Sequence, residues 1–149
     1  MKANKPKPES RDSRDKRLNA AISKAIAGFN PPERMTVSEW ADRNRRLSAE
    51  SSAEVGQWRT SRTPYMKEPL DSFTDPKVKH IVIVASSQVG KSEAINNMIG
   101  YIINQDPGSI LFIQPTITDA KEYSKLRIAP MIRDTPSLKQ KVAPKSRDS

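Results

Sequence analysis

The feature that most narrows what this chain can fold into is a junction. A run of β-branched residues, Val78, Ile81, Val82, Ile83 and Val84, passes directly into Ala85-Ser86-Ser87-Gln88-Val89-Gly90-Lys91-Ser92, and that segment passes directly into a helical pattern. A nearly unbroken β-branched run is the pattern of a strand buried on both faces of a parallel sheet. Downstream, Ala94, Ile95, Met98, Ile99, Ile102 and Ile103 fall on one face of a helix over 93–104, closed by Pro107 and Gly108. A second apolar run, Ile110-Leu111-Phe112-Ile113, follows, then Gln114-Pro115-Thr116 and a helix over about 118–126. Strand, helix and parallel strand predict a right-handed βαβ unit with its loops at the C-terminal ends of the strands.

The segment 85–92 fits A-x-x-x-x-G-K-S, one residue from the phosphate-loop pattern G-x-x-x-x-G-K-[ST]. A triphosphate needs a concave set of backbone N–H groups, and a strand-to-helix turn supplies them together with the positive end of the helix dipole. In that role Ser86, Ser87, Gln88 and Val89 form the cradle, Gly90 lets the backbone approach, Lys91 places an ammonium on the β- and γ-oxygens, and Ser92 offers its hydroxyl to Mg²⁺. ATP and Mg²⁺ are therefore the cofactors expected. The bland alternative is a Gly-Lys-Ser tripeptide that only starts a helix. Ala85 departs from the pattern, since it adds a Cβ where glycine leaves space. The fold class this implies is α/β, a partial P-loop NTPase sheet.

Upstream, Leu18, Ala21, Ile22, Ala25, Ile26 and Phe29 recur at helical spacing, predicting an amphipathic helix over 16–27 whose apolar face meets its own domain or another subunit. Thr36 and Glu39 form a capping box that opens a second helix through Trp40 toward Arg45, and 47–64 reads as loop. A short helix runs from Tyr65 to about Phe73, with Pro69 either opening or kinking it. Tyr65 is a candidate to stack on an adenine or a partly buried core residue. Trp58, in a polar loop, packs against something the sequence does not name, and Lys79 and His80 read as surface residues. Pro130 and Pro136 bracket a last helical piece at 131–134.

Of 149 residues, 26 are Lys or Arg against 17 Asp or Glu, and the excess sits at the ends. Residues 1–17 hold seven basic and three acidic side chains, and 139–149 hold four and one. The division expected is a disordered basic arm over 1–15, a helical and loop region over 16–64, the start of a P-loop domain over 65–138, and a basic tail over 139–149. The arm is either a solubilising tail or a contact for nucleic-acid phosphates. The chain has no cysteine and one histidine, which excludes disulfides, zinc–thiolate sites, thiol nucleophiles and multi-histidine metal sites. The longest apolar run, 81–85, is far short of a bilayer span, so no membrane partner is expected and the protein reads as soluble and intracellular.

Hydrolysis needs more than a cradle. P-loop enzymes hold Mg²⁺ with an acid at the end of a second apolar strand, but Ile113 leads into Gln114-Pro115-Thr116, and Asp119 and Glu122 lie on the next helix. No catalytic residue is expected within this chain, which reads as an N-terminal portion of something larger or the product of a truncated gene.

Taken together, Thr36-Val37-Ser38-Glu39-Trp40-Ala41-Asp42, Leu47-Ser48-Ala49-Glu50-Ser51-Ser52-Ala53-Glu54, Gly56-Gln57-Trp58-Arg59-Thr60, Thr63-Pro64-Tyr65, the loop 86–92, Gln114-Pro115-Thr116 and Ala129-Pro130-Met131-Ile132-Arg133-Asp134-Thr135-Pro136 resemble the large terminase subunit of tailed bacteriophages, of the lambda GpA-like family. The resemblance covers about 30–149 and implies an ATP-driven motor that threads double-stranded DNA into a procapsid through a portal, joined to a C-terminal nuclease. It implies nucleotide contacts at Ser86, Ser87, Gln88, Val89, Gly90, Lys91 and Ser92, an adenine-side aromatic at Tyr65, and location in the host cytoplasm. Some relatives place the loop lysine at its head, where this chain has Ala85, and Lys91 takes the phosphate contact instead. The acidic strand, catalytic glutamate and nuclease carboxylates of the family have no counterpart here. The family's N-terminus engages the small terminase subunit, which gives the 16–27 helix a partner. Competing readings are another P-loop DNA translocase or helicase, and a non-catalytic module from a decayed prophage gene that binds DNA or the small subunit.

Overall fold

Helix formation begins earlier than hydrophobic spacing indicates. The computed structural model describes residues 11–28, 33–50 and 54–142. They divide into two units, 1–33 and 34–149. In the first, α1 (Arg11–Gly28) starts five residues before the expected 16, with Asp12 in its first turn and an Asp12–Lys16 ion pair of 2.9 Å one turn apart. An acid at the helix N-terminus and an i,i+4 pair favour that extension. Residues 11–15, expected in the arm, are thus helical, and 1–10 lie outside the described residues. Leu18 and Ile22 on α1 are exposed, and the side chains of Ala25, Ile26 and Phe29 lie outside the described set.

In the second unit, α2 (Val37–Asn44) opens on the predicted box. Glu39 Oε2 accepts from Thr36 N–H at 2.9 Å, and Thr36 Oγ1 accepts from Glu39 N–H. The reciprocal bonds satisfy two helix-end groups and set the register that buries Val37, Trp40 and Ala41. Residues 47–64, read as loop, hold more order than expected. Arg46–Leu47 (β1) pairs antiparallel with Gly56–Gln57 (β2), and one-turn 3₁₀ helices follow at Thr60–Arg62 and Pro64–Met66. Next comes α3 (Lys67–Ser72), where Pro69 is third in the helix. Its missing N–H falls in the first turn, where no intrahelical acceptor exists, so it is tolerated without a break.

The long helix α4 (Lys91–Asn104) crosses α2 at close range. A Cβ on Gly100 would stand 2.4 Å from Trp40 Cη2, and Trp40 Nε1 donates to Asn104 Oδ1 at 2.9 Å. Only glycine permits this approach. Around it, Trp40, Leu47, Trp58, Ile99, Met131 and Leu138 form one apolar cluster, and Val37, Met66, Leu70, Ala94 and Met98 a second.

The parallel sheet and βαβ unit expected from 78–84 and 110–113 are not formed among the described residues, where the only ladder is β1 with β2. Residues 78–86 and 107–114 belong to no helix and no strand ladder. Ile81 and Ile83 pack against the second cluster, while Val82, Val84, Leu111 and Ile113 are 77–93% exposed. A strand satisfies its backbone only through flanking strands, and these two are not paired with each other or with β1 and β2.

The C-terminal helices are more continuous than Pro130 suggests. From α5 (Ile117–Tyr123), capped by Thr116, the chain passes through a π turn, Ser124–Ile128, into α6 (Ala129–Asp134), and α7 (Pro136–Lys139) follows. The wider π turn accommodates Pro130, whose ring would clash with the carbonyl four residues back in a regular helix. Met131 and Leu138 are buried. Lys139 ends α7, and residues 143–149 of the expected tail lie outside the described residues. Across the expected boundary at 64, α2 packs directly on α4 within the second unit.

Candidate phosphate-binding loop

After 78–86 the chain turns at 87–90 before entering α4. Gln88 has φ 61° and Gly90 has φ 86°, so two of three consecutive residues adopt the left-handed conformation. Gly90 is the residue before α4, and a Cβ there would meet nothing closer than 3.9 Å. Its requirement is therefore conformational rather than steric. Within this turn Lys91 folds back, and its Nζ donates to the carbonyls of Ala85 at 2.6 Å and Ser86 at 2.7 Å. The ammonium thus sits inside the loop at the N-terminus of a 14-residue helix. Backbone dipole and side-chain charge converge there on one anion-attracting position. Ser86, Ser87, Gln88 and Ser92 are exposed. This donor set fits a Mg²⁺-bound phosphate group: an ammonium, a helix terminus and a hydroxyl at the motif's metal position.

Tyr65 is 57% exposed, and its hydroxyl donates to the Val89 carbonyl at 3.2 Å. It lines a cleft of ≈ 320 Å³ on one flank of the loop with Trp58, Arg59, Arg62, Gln88 and Gly90. Trp58 is buried and donates its Nε1–H to Thr60 Oγ1, which supplies the packing the sequence left unnamed. A second cleft of ≈ 600 Å³ lies beside Lys91 and Ser92, walled by Phe73, Val78, Ile81, Ile83 and Ile95. Lys79 and His80 are exposed, as expected of surface residues.

Sequence reasoning missed what lies behind the loop. Arg45, its side chain 1% exposed, donates from Nη2 to Glu93 Oε2 at 2.8 Å. Burial lowers the Arg45 pKa, and Glu93 works against that shift. Asn96 donates to Glu93 Oε1 at 3.3 Å, and Arg127 of the π turn stands 3.7 Å from the same oxygen. The Tyr123 hydroxyl reaches Asn96 Oδ1 at 2.8 Å and the Ser92 carbonyl at 3.3 Å. Burial, then the Glu93 charge, push Tyr123 up to about 12 despite the nearby arginines. Apart from Asn96–Glu93, one helical turn apart, no sequence spacing signals these contacts, because Arg45–Glu93 are 48 residues apart and Tyr123–Asn96 27.

No group of three or more His, Cys, Asp or Glu able to hold a metal occurs among the described residues, and Asp119 is engaged at the α5 cap with Thr116. No described helix is long and apolar enough to cross a membrane.

Comparison with known proteins bears on this loop directly. The family model for the phage terminase large subunit gpA, ATPase domain, matches residues 52–149, which include the whole loop. The chain is 30% identical over 127 residues to the terminase large subunit of Escherichia phage lambda, an alignment covering 85% of this chain and 20% of that protein. It is 27% identical over 118 residues to the terminase large subunit of Enterobacteria phage P21, covering 79% of this chain and 18% of that protein. The chain thus spans about a fifth of the length of these curated relatives. No solved structure matches it. With the family model taking in the loop, the helix behind it and the C-terminal helices alike, the chain belongs to the phage terminase large subunit family of gpA type, within its ATPase domain.

Proposed function

We propose that residues 85–92 bind the phosphates of Mg²⁺–ATP, and that the chain is the N-terminal part of the ATPase motor that packages double-stranded viral DNA. The observation that carries this reading is the Lys91 ammonium held on the carbonyls of Ala85 and Ser86 inside a left-handed turn at the head of α4. On binding, Lys91 exchanges two neutral acceptors for phosphate oxygens, and charge-assisted bonds of that kind are roughly twice as strong. Ser92 would hold Mg²⁺, whose chemistry is to neutralise charge on the transferred phosphoryl group. The ring of Tyr65, held beside Val89, serves the adenine. Residues 78–86 and 110–113 act as strands of a parallel sheet that further strands of the longer protein complete. The Mg²⁺-holding acid and the nuclease carboxylates come from those further parts too, so this chain alone has neither ATPase nor nuclease activity. DNA, the small terminase subunit acting through α1, and the portal are the partners, in the host cytoplasm. The family match supports packaging over the helicase alternative.

Lys91→Ala tests the reading. Loss of a charge-assisted contact of roughly 1.5–3 kcal/mol should weaken ADP or ATP binding about ten- to a hundredfold in isothermal titration. Equal affinities in two folded proteins would remove Lys91 as the phosphate ligand. Phosphate release by the wild-type chain above that of Lys91→Ala would overturn its inactivity.

A further inference from the structure

Glu93 directly follows Lys91 and Ser92, and its carboxylate is where three parts of the fold meet. From one side comes Arg45, at the end of α2. A guanidinium this buried cannot turn to water, and leaving it without an acid strands a charge in the interior. Its backbone is fixed as well: Trp58 N–H donates to the Arg45 carbonyl at 2.9 Å, and Arg46 N–H donates to Thr135 Oγ1 at 3.3 Å. The guanidinium also donates from Nη1 to the Arg46 carbonyl. Arg45 is therefore an anchor of fixed direction, and the planar fork of arginine transmits that direction to the carboxylate it holds. From the other side, Asn96 bonds Glu93 Oε1 and is itself held by the Tyr123 hydroxyl, which also reaches the carbonyl of Ser92.

An apolar pair of similar volume serves stability as well as a buried ion pair or better. What the ion pair adds is orientation, and it is placed in the helical turn that carries the two candidate phosphate and metal ligands. Misplacement of such ligands by about 1 Å is enough to lose up to a hundredfold in function. We propose that Arg45 is a positioning residue for the phosphate loop, fixing the first turn of α4 through its buried bond to Glu93 and so aiming Lys91 Nζ and Ser92 Oγ at a Mg²⁺-bound nucleotide. This inference rests on the nucleotide-binding reading of residues 85–92.

The test uses the whole 149-residue chain and isothermal titration with ADP, with Mg²⁺ and with EDTA, on wild type, Lys91→Ala, Glu93→Gln and the double variant Arg45→Met/Glu93→Leu. Glu93→Gln should lose roughly tenfold or more in Mg²⁺–ADP affinity, with a smaller loss in EDTA, because the Ser92 contact is the one the metal uses. The double variant replaces the buried pair with apolar volume but also removes the Asn96 and Arg127 contacts to Glu93. Its unfolding midpoint should therefore lie at or above that of Glu93→Gln, which strands the Arg45 charge, while it remains as weak a binder as Glu93→Gln. Should Glu93→Gln fail to fold, the double variant decides. Wild-type Mg²⁺–ADP affinity in a folded double variant would reduce the pair to packing and overturn the positioning role. Failure of wild type to bind, or equal binding by Lys91→Ala, would instead overturn the nucleotide reading itself.

Discussion

Two sets of large apolar side chains in this chain meet opposite fates. Trp40, Leu70 and Leu138 are fully buried, in helices that pack on one another, whereas Val84 is 93% and Leu111 87% exposed on segments that join no ladder among the described residues. The two sets are alike in hydrophobicity, so composition does not separate them. A helix closes its backbone hydrogen bonds within itself and needs one packed face, which α2, α4, α6 and α7 supply to each other. A strand depends on neighbouring strands for its backbone hydrogen bonds and on a packed layer to cover its faces, and 78–84 and 110–113 join no ladder among the described residues. Helical parts of a domain can therefore be in place while its sheet is not.

The sharpest way to break the packed side is Trp40→Ala. It removes the ring seated on Gly100 and the bond to Asn104, at a cost of about 3–5 kcal/mol. That is enough to unfold a domain of marginal stability. Urea unfolding followed by circular dichroism measures it, and a loss below about 1 kcal/mol would mean that the α2–α4 crossing is not the centre of the fold.

A smaller effect is expected at Asp71, which ties α3 to the start of α2. Burial pushes its carboxyl up, but hydrogen bonds from Ser38, Lys67 and Thr36 more than reverse this and hold it below its ordinary range. A lowered folded-state pKa means stabilisation that is present above the unfolded value of about 3.9 and lost as pH falls through the folded value. Asp71→Asn should cost about 1 kcal/mol at pH 7, with the gap to wild type closing below about pH 4. Unfolding midpoints at several pH values check this, and a gap that stays constant into acid would assign the loss to packing instead.

The smallest effect tests the exposed side. Val84→Asp should change the stability of this chain by no more than about 0.5 kcal/mol, and light scattering should show less self-association, since an uncovered apolar edge is an aggregation site. A loss near 2 kcal/mol would mean that Val84 is already covered by a partner strand in solution.

Legibility followed the range of the interaction. The Thr36–Glu39 box and the helical face of α4 were readable because their partners lie within one or two turns. The β1–β2 pair was not, since two-residue strands carry no alternation, and the helical run from 117 to 134 was obscured by Pro130 until the π turn showed how the ring is accommodated. The strand reading of 78–84 took β-branched composition as evidence of a sheet. Composition records what a segment can pair with, and pairing itself depends on other segments.

By itself, the sequence determined the candidate phosphate loop: Gly90 supplies one of its two left-handed residues, Lys91 the ammonium, and the apolar spacing of 94–103 the helix that follows. These are local matters of backbone freedom, charge and period, which a linear string encodes directly. Only the tertiary structure decided that Trp40 rests on Gly100 and that buried Arg45 holds Glu93 behind the loop. It alone decided, too, that Ile81 and Ile83 find cover while Val82 and Val84 do not. Each of those outcomes joins residues far apart in the chain, so it depends on how the elements pack and on which surfaces lose their water, quantities that no single segment contains.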